Sequence, residues 1–107
     1  MAAIVVACGG AGTNELPELD SAEEYFELGK EFDKEQDYYD AIAAYSEAIE
    51  LDPDFAQAYR NRGFSYYRLR KGEEAIKDYE RFIELEPDSP VRQSLEDAIR
   101  EIKRGDY

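Results

Sequence analysis

The chain has 107 residues, enough for one domain and too few for two. It carries 26 Asp and Glu against 13 Lys and Arg, and the net charge of -13 repels a nucleic-acid backbone. With no His and a single Cys, most histidine-dependent catalysis, zinc sites and an internal disulfide framework are excluded, so the composition points to a binding module and away from an enzyme.

Residues 1–20 read as a flexible N-terminal segment outside the core. A short apolar run, Ala2 to Ala7, is followed by Cys8-Gly9-Gly10-Ala11-Gly12, which has the composition of a linker. Val5-Val6-Ala7-Cys8 is similar to the cleavage box of bacterial lipoproteins, which implies membrane anchoring through a lipidated Cys8. The run has neither the positive start nor the apolar length of roughly 7–15 residues of a working signal, and without that anchor the default expectation is the cytoplasm.

From Ser21 the pattern is helical. Ser21 with Glu24 three residues later forms a capping box, and Tyr25, Leu28, Gly29 and Phe32 share one helical face. A second face runs through Tyr38, Ala41, Ile42, Tyr45, Ala48 and Ile49 and is ended by Asp52-Pro53-Asp54, with Asp54 expected to cap the next helix. Tyr59, Gly63 and Tyr66 mark a third helix, for which Lys71-Gly72 is the expected stop. Ala75, Ile76, Tyr79, Phe82 and Ile83 mark a fourth. Ser89-Pro90 opens a fifth, with Ser as the cap and Pro in the first turn, and its apolar face is Leu95, Ala98, Ile99 and Ile102. The expected helices are 22–34, 38–51, 55–70, 73–85 and 90–104, an all-α domain over residues 21–107.

One constant offset relates the two halves. Tyr25 and Tyr59, Gly29 and Gly63, Ala41 and Ala75, Tyr45 and Tyr79, and Pro53 and Pro87 are each 34 residues apart. In this the chain resembles the tetratricopeptide repeat family, whose unit is a helix–turn–helix of 34 residues. The resemblance places repeat one at 22–55, repeat two at 56–89 and a capping helix at 90–104, and it implies an α-α superhelix. Arg62 and Phe82 depart from the family pattern. Phe82 would meet the capping helix, and Arg62 is long enough to bury its stem and keep its charge in water. Gly29, Ala41, Gly63 and Ala75 are small where helix backbones would approach closely.

Charge is unevenly distributed. Residues 1–55 hold 15 acids and two bases, whereas 56–107 hold 11 of each. Within the second half, Arg60, Arg62, Arg68, Arg70 and Lys71 occur with no intervening acid, interleaved with Tyr59, Phe64, Tyr66 and Tyr67. Such a segment selects a partner electrostatically or offsets neighbouring acids on the same fold. Helical spacing assigns Tyr25, Phe32, Tyr45, Tyr59, Tyr66, Tyr79 and Phe82 to the core, and leaves Phe26, Phe64 and Tyr67 off the packing face.

Members of the family bind peptides in the concave groove lined by the first helix of each repeat. By register, the resemblance assigns to that groove Glu23, Phe26, Lys30, Asp33 and Lys34 from repeat one and Gln57, Arg60, Asn61, Phe64, Tyr67 and Arg68 from repeat two, of which Phe26, Lys30, Arg60, Asn61, Phe64, Tyr67 and Arg68 are the candidate peptide-binding residues. Arg60 and Arg68 lie two helical turns apart and are expected on one side. Asn61 matches the Asn of the carboxylate clamp found in chaperone-binding members, but Phe26 and Lys30 replace the Lys and Asn expected in repeat one, and no third repeat supplies the remainder. The implied partner is a protein or peptide with acidic and apolar groups. No phosphate loop, calcium loop or other cofactor signature occurs. Two repeats are fewer than the roughly three of a stable solenoid, so an assembly subunit that completes its stack by self-association is the alternative to a peptide-binding module.

Overall fold

The computed structural model describes residues 16–107, so Cys8 and its cleavage-box-like run lie outside the described residues. Five helices follow in order: α1 (Ala22–Lys34), α2 (Tyr38–Leu51), α3 (Ala56–Arg68), α4 (Gly72–Leu85) and α5 (Arg92–Arg104). No strand occurs among the described residues, and none of these helices is long and apolar enough to cross a membrane. Each helix packs chiefly on the next, so α1/α2 and α3/α4 form two hairpins, joined through α2 and α3 and followed by α5 on α4.

The first helix starts as its sequence dictates. Ser21 Oγ accepts the Glu24 N–H at 3.1 Å, while Glu24 reaches back to the Asp20 N–H at 3.1 Å. Helix α2 begins at Tyr38 as expected, whereas the caps of α3 and α5 differ from expectation. Asp54 does not cap α3: its own N–H donates to Asp52 Oδ1 at 3.1 Å in a local turn, and Phe55 is the cap residue. Ser89-Pro90 forms a turn before α5 instead of its first turn. Ser89 Oγ accepts the Val91 N–H at 3.2 Å, and the helix begins at Arg92.

The first helices of the two hairpins, α1 and α3, end by one device. Asp37 N–H reaches Phe32 O and Gln36 N–H reaches Asp33 O, both near 3.0 Å; Lys71 with Tyr66 and Arg70 with Tyr67 repeat the pattern. These paired bonds are Schellman closures, which need a left-handed residue. Gln36 (φ 63°) and Arg70 (φ 61°) supply it, one repeat apart. The stop of α3 is therefore Arg70, not Gly72. Gly72 begins α4 and is small for another reason: a Cβ there would lie 2.5 Å from Tyr107 Oη and 2.6 Å from Ile102 Cγ2.

The two hairpins pack by one rule. A Cβ on Gly29 would stand 2.5 Å from the Tyr45 ring, and one on Gly63 would stand 2.8 Å from the Tyr79 ring. The glycines thus make room for a tyrosine ring from the partner helix, not for the partner backbone. Ala41, Ala44, Ala48 and Ala75 are fully buried beside them. Phe82 packs with Leu95, Ile99 and Ile102, which docks α5 onto the second hairpin as expected. At the other end, Leu16 and Leu19 pack against Tyr25, Ala48 and Ala58. Tyr25 Oη donates to Pro17 O at 3.1 Å and accepts the Leu19 N–H at 3.0 Å. Residues 16–20 therefore belong to the packed domain, contrary to the expectation for 1–20. Their apolar side chains cover the Tyr25 side of α1.

Candidate functional site

Burial separates the aromatic residues differently from helical spacing. Tyr25, Tyr45, Tyr79 and Phe82 are buried, whereas Phe32, Tyr59 and Tyr66 are only half-buried. Tyr59 Oη donates to Pro53 O at 2.9 Å, and the Arg62 and Arg81 guanidinium groups lie 5.8 and 5.7 Å from its ring centroid. Phe26 was expected off the packing face, but it packs on Phe55 (4.8 Å between centroids) and Tyr45 (5.8 Å). Lys30 covers its ring at 5.0 Å and pairs with Glu27 at 3.0 Å. Phe26 and Lys30 thus form a small cluster within repeat one, with the cation already partnered.

The α3 residues present a different surface. Phe64 is exposed and stacks on Tyr67, with centroids 6.4 Å apart and planes at 28°. The Arg68 guanidinium lies 6.0 Å from the Phe64 ring and 5.6 Å from Tyr38 of α2. Arg60 lies 5.6 Å from the Phe82 ring of α4. The two arginines therefore lean toward different neighbours of α3, because eight residues at 100° each rotate the second about 80° beyond the first. Arg70, in the turn after α3, lies 5.4 Å from the Tyr107 ring. Among the described residues, Arg60, Arg68 and Arg70 have no ion-pair partner, while Arg62, Arg81, Arg92, Arg100 and Arg104 are each paired.

Asn61 sits on a polar network that spans three helices. Its Nδ2 donates to Tyr45 Oη at 3.4 Å; Tyr45 donates to Asp33 Oδ2 at 2.5 Å, and Ser65 Oγ donates to Asp33 Oδ1 at 2.8 Å. Ser65 is fully buried, so this bond matters to the fold. Burial and the Asp33 carboxylate both push the Tyr45 phenol well above its ordinary value, so it remains a donor. With that donor committed to Asp33, Tyr45 holds Asn61 through its lone pair and leaves the Asn61 Oδ1 unengaged by the network.

Arg62 does not keep its charge in water. Its Nε and Nη2 meet Asp78 at 2.8 and 2.9 Å, and its Nη1 donates to Ser46 at 3.0 Å. Burial alone would lower the Arg62 pKa, but the Asp78 hydrogen bonds and charge outweigh it and hold the guanidinium charged. Burial pushes the Asp78 carboxyl above its ordinary value, against the pull of Arg62. The pair joins α2, α3 and α4 and is removed from the exposed cations.

Sequence reasoning missed Tyr38 as the platform under Arg68, Ser65 as the anchor of Asp33, and Tyr107 as the partner of Tyr67. Tyr38 and Ser65 lie off the family's signature positions. Gly72, small without a left-handed backbone, is the sequence signal that another group approaches there.

The sequence model of the tetratricopeptide repeat family matches residues 33–100. Hsp70-Hsp90 organizing protein 3 of Arabidopsis thaliana is 43% identical over 79 residues, 74% of this chain and 14% of that protein. The DnaJ homolog subfamily C member 7 homolog of Schizosaccharomyces pombe is 39% identical over 98 residues, 89% of this chain and 20% of that protein. The chain thus spans a fifth or less of these two relatives. Among solved structures, the tetratricopeptide repeat domain protein from Salinibacter ruber superposes with a TM-score of 0.67 at 27% identity, over 78% of this chain and 97% of that one. The repeated hairpins, the 34-residue offset of their glycine–tyrosine contacts and these matches lead to one assignment: the chain belongs to the tetratricopeptide repeat family.

Proposed function

We propose that the chain is a non-catalytic protein–protein interaction module that binds an acidic, partly apolar peptide along α3, on Arg60, Asn61, Phe64, Tyr67 and Arg68. One observation carries this reading. In a chain of net charge -13, Arg60, Arg68 and Arg70 lie over aromatic rings and have no carboxylate partner among the described residues. An arginine fork left unpaired among that many acids is available to a ligand carboxylate, and the rings beside it add apolar contact. Phe26 and Lys30 take a lesser part, since one is packed and the other is paired.

Relatives named Hsp70-Hsp90 organizing protein make chaperone proteins one partner class to include. Phe26 and Lys30 in place of the clamp Lys and Asn favour an acidic peptide read along its length over one read by its terminal carboxylate.

The test is a fluorescence-anisotropy panel of labelled acidic–apolar, basic and neutral peptides of equal length. Acidic–apolar peptides should bind, and Arg60→Glu/Arg68→Glu should weaken them at least about tenfold with helicity intact. Preference for the basic peptides would move the site to the acidic first half. Covered faces at both ends of the stack, by Leu16 and Leu19 and by α5, support a self-contained unit over completion by self-association. Sedimentation at high concentration, expected to show a monomer, separates the two.

A further inference from the structure

The chain doubles back at its last described residues. Gly105 is left-handed (φ 82°); its N–H donates to Ile102 O and the Asp106 N–H donates to Glu101 O, each at 2.9 Å. This third Schellman closure returns Tyr107 to the turn between α3 and α4. There its hydroxyl donates to Arg70 O at 3.1 Å, and its ring stacks on Tyr67 with centroids 5.5 Å apart and planes at 27°. The Arg70 guanidinium faces the ring, and Gly72 leaves space for the phenol oxygen. Acceptor, stacking face, cation and clearance together fit a phenol. The seat also continues the proposed peptide strip, because Tyr67 stacks in turn on the exposed Phe64. A cavity of about 270 Å³ lined by Tyr67, Arg68, Arg70 and Tyr107 opens beside it.

The strap that fills the seat is lightly held. Nothing lies within 4 Å of where a Gly105 Cβ would be, and Asp106 is exposed, pairing only with Arg104 at 3.0 Å. Lifting Tyr107 therefore leaves the buried contacts of α5 through Leu95, Ile99 and Ile102 in place.

We propose that this seat is a binding site for an aromatic side chain of the partner peptide, preferentially a tyrosine, and that Tyr107 occupies it from within the chain until the ligand displaces it. This rests on the peptide-binding reading and adds a specificity element to it. A tethered competitor acts at high effective concentration and lowers apparent affinity by the fraction of time the seat is free.

The probe is N-acetyl-tyrosinamide, with N-acetyl-alaninamide as control, followed by the amide NMR signals of Tyr67, Arg70 and Gly72. In Tyr107→Ala these signals should move saturably with the tyrosine probe and not with the control. The unaltered chain should need about five- to thirtyfold more probe, because the stack on Tyr67, the hydroxyl bond to Arg70 and the guanidinium contact must be released first. Tyr107→Phe, which keeps the stack and loses the hydroxyl, should fall between. Absence of shifts in Tyr107→Ala, or equal affinity in both chains, would overturn the proposal. So would loss of helicity in Tyr107→Ala, because a strap that the fold cannot release is no competitor. The probe reads the seat without any peptide, whereas Arg60→Glu/Arg68→Glu reads the strip, so either can fail alone.

Discussion

Arg62 grips Asp78 with two donors, Nε at 2.8 Å and Nη2 at 2.9 Å, at a point where α3 and α4 exclude most of the water. Removing one partner leaves a desolvated charge. Asp78→Ala should therefore cost about 3 kcal/mol, toward the lower end for buried pairs because Arg62 retains some exposure. The double replacement Arg62→Met/Asp78→Leu should recover most of that loss. Urea titration of the three variants checks the pattern, and additive losses in the double variant would contradict it.

The tyrosine rings over Gly29 and Gly63 make a second test. Tyr45→Ala should cost about 3–5 kcal/mol, comparable to the whole stability of a domain this small; Gly29→Ala is the milder probe. Its methyl would overlap the Tyr45 ring, an overpacking cost of about 1–3 kcal/mol against a helix-propensity gain of about 1 kcal/mol, so the melting temperature should fall. A rise would show that the ring moves aside freely.

Alkaline pH should act through the buried phenols. Burial raises the Tyr79 hydroxyl to about 12 and pushes Tyr45 further, from an ordinary value near 10. The native state thus holds these protons where the unfolded state has released them. Their stabilisation is complete below pH ~10 and declines as pH rises toward 12, with about 2–3 kcal/mol lost through Tyr79 alone. Ultraviolet titration should show these two phenols ionising above the ordinary tyrosine range, and thermal melts should drop steeply over the same interval.

The N-terminal cover gives a stability test away from the proposed site. Leu19→Ala should cost about 1–2 kcal/mol, less than a fully buried leucine because Leu19 is half-buried. Peptide binding along α3 should be unaffected. Calorimetry and the anisotropy panel measure the two separately.

Periodicity carried the sequence reading where one residue's role depends only on its repeat position. Tyr45, Tyr79, Ala41 and Ala75 are buried as the 34-residue offset requires. It failed where a neighbour outside the period decides. Phe26 looked free by helical spacing alone, yet Phe55 from the α2–α3 turn packs on it beside Tyr45. Arg62 looked solvated because Asp78 is not a signature position, and Gly72 looked like a helix stop because its neighbour Tyr107 lies 35 residues on. At the candidate site the residue types were legible, but the lean of Arg60 toward Phe82 and of Arg68 toward Tyr38 came only with the packed helices.

Because each helix packs chiefly on its sequence neighbour, most loops that must close during folding are short. Such a chain should collapse quickly, within the microsecond-to-millisecond range of low-contact-order helical proteins. The hairpin α1/α2 and the unit α3–α5 each hold much of their own apolar contact, so hydrogen exchange should reveal two cooperative blocks separated at the α2–α3 junction. The proposed binding surface straddles that junction through Arg68 on Tyr38 and Asn61 on Tyr45. A ligand seated there would clasp the blocks together and slow the exchange of both.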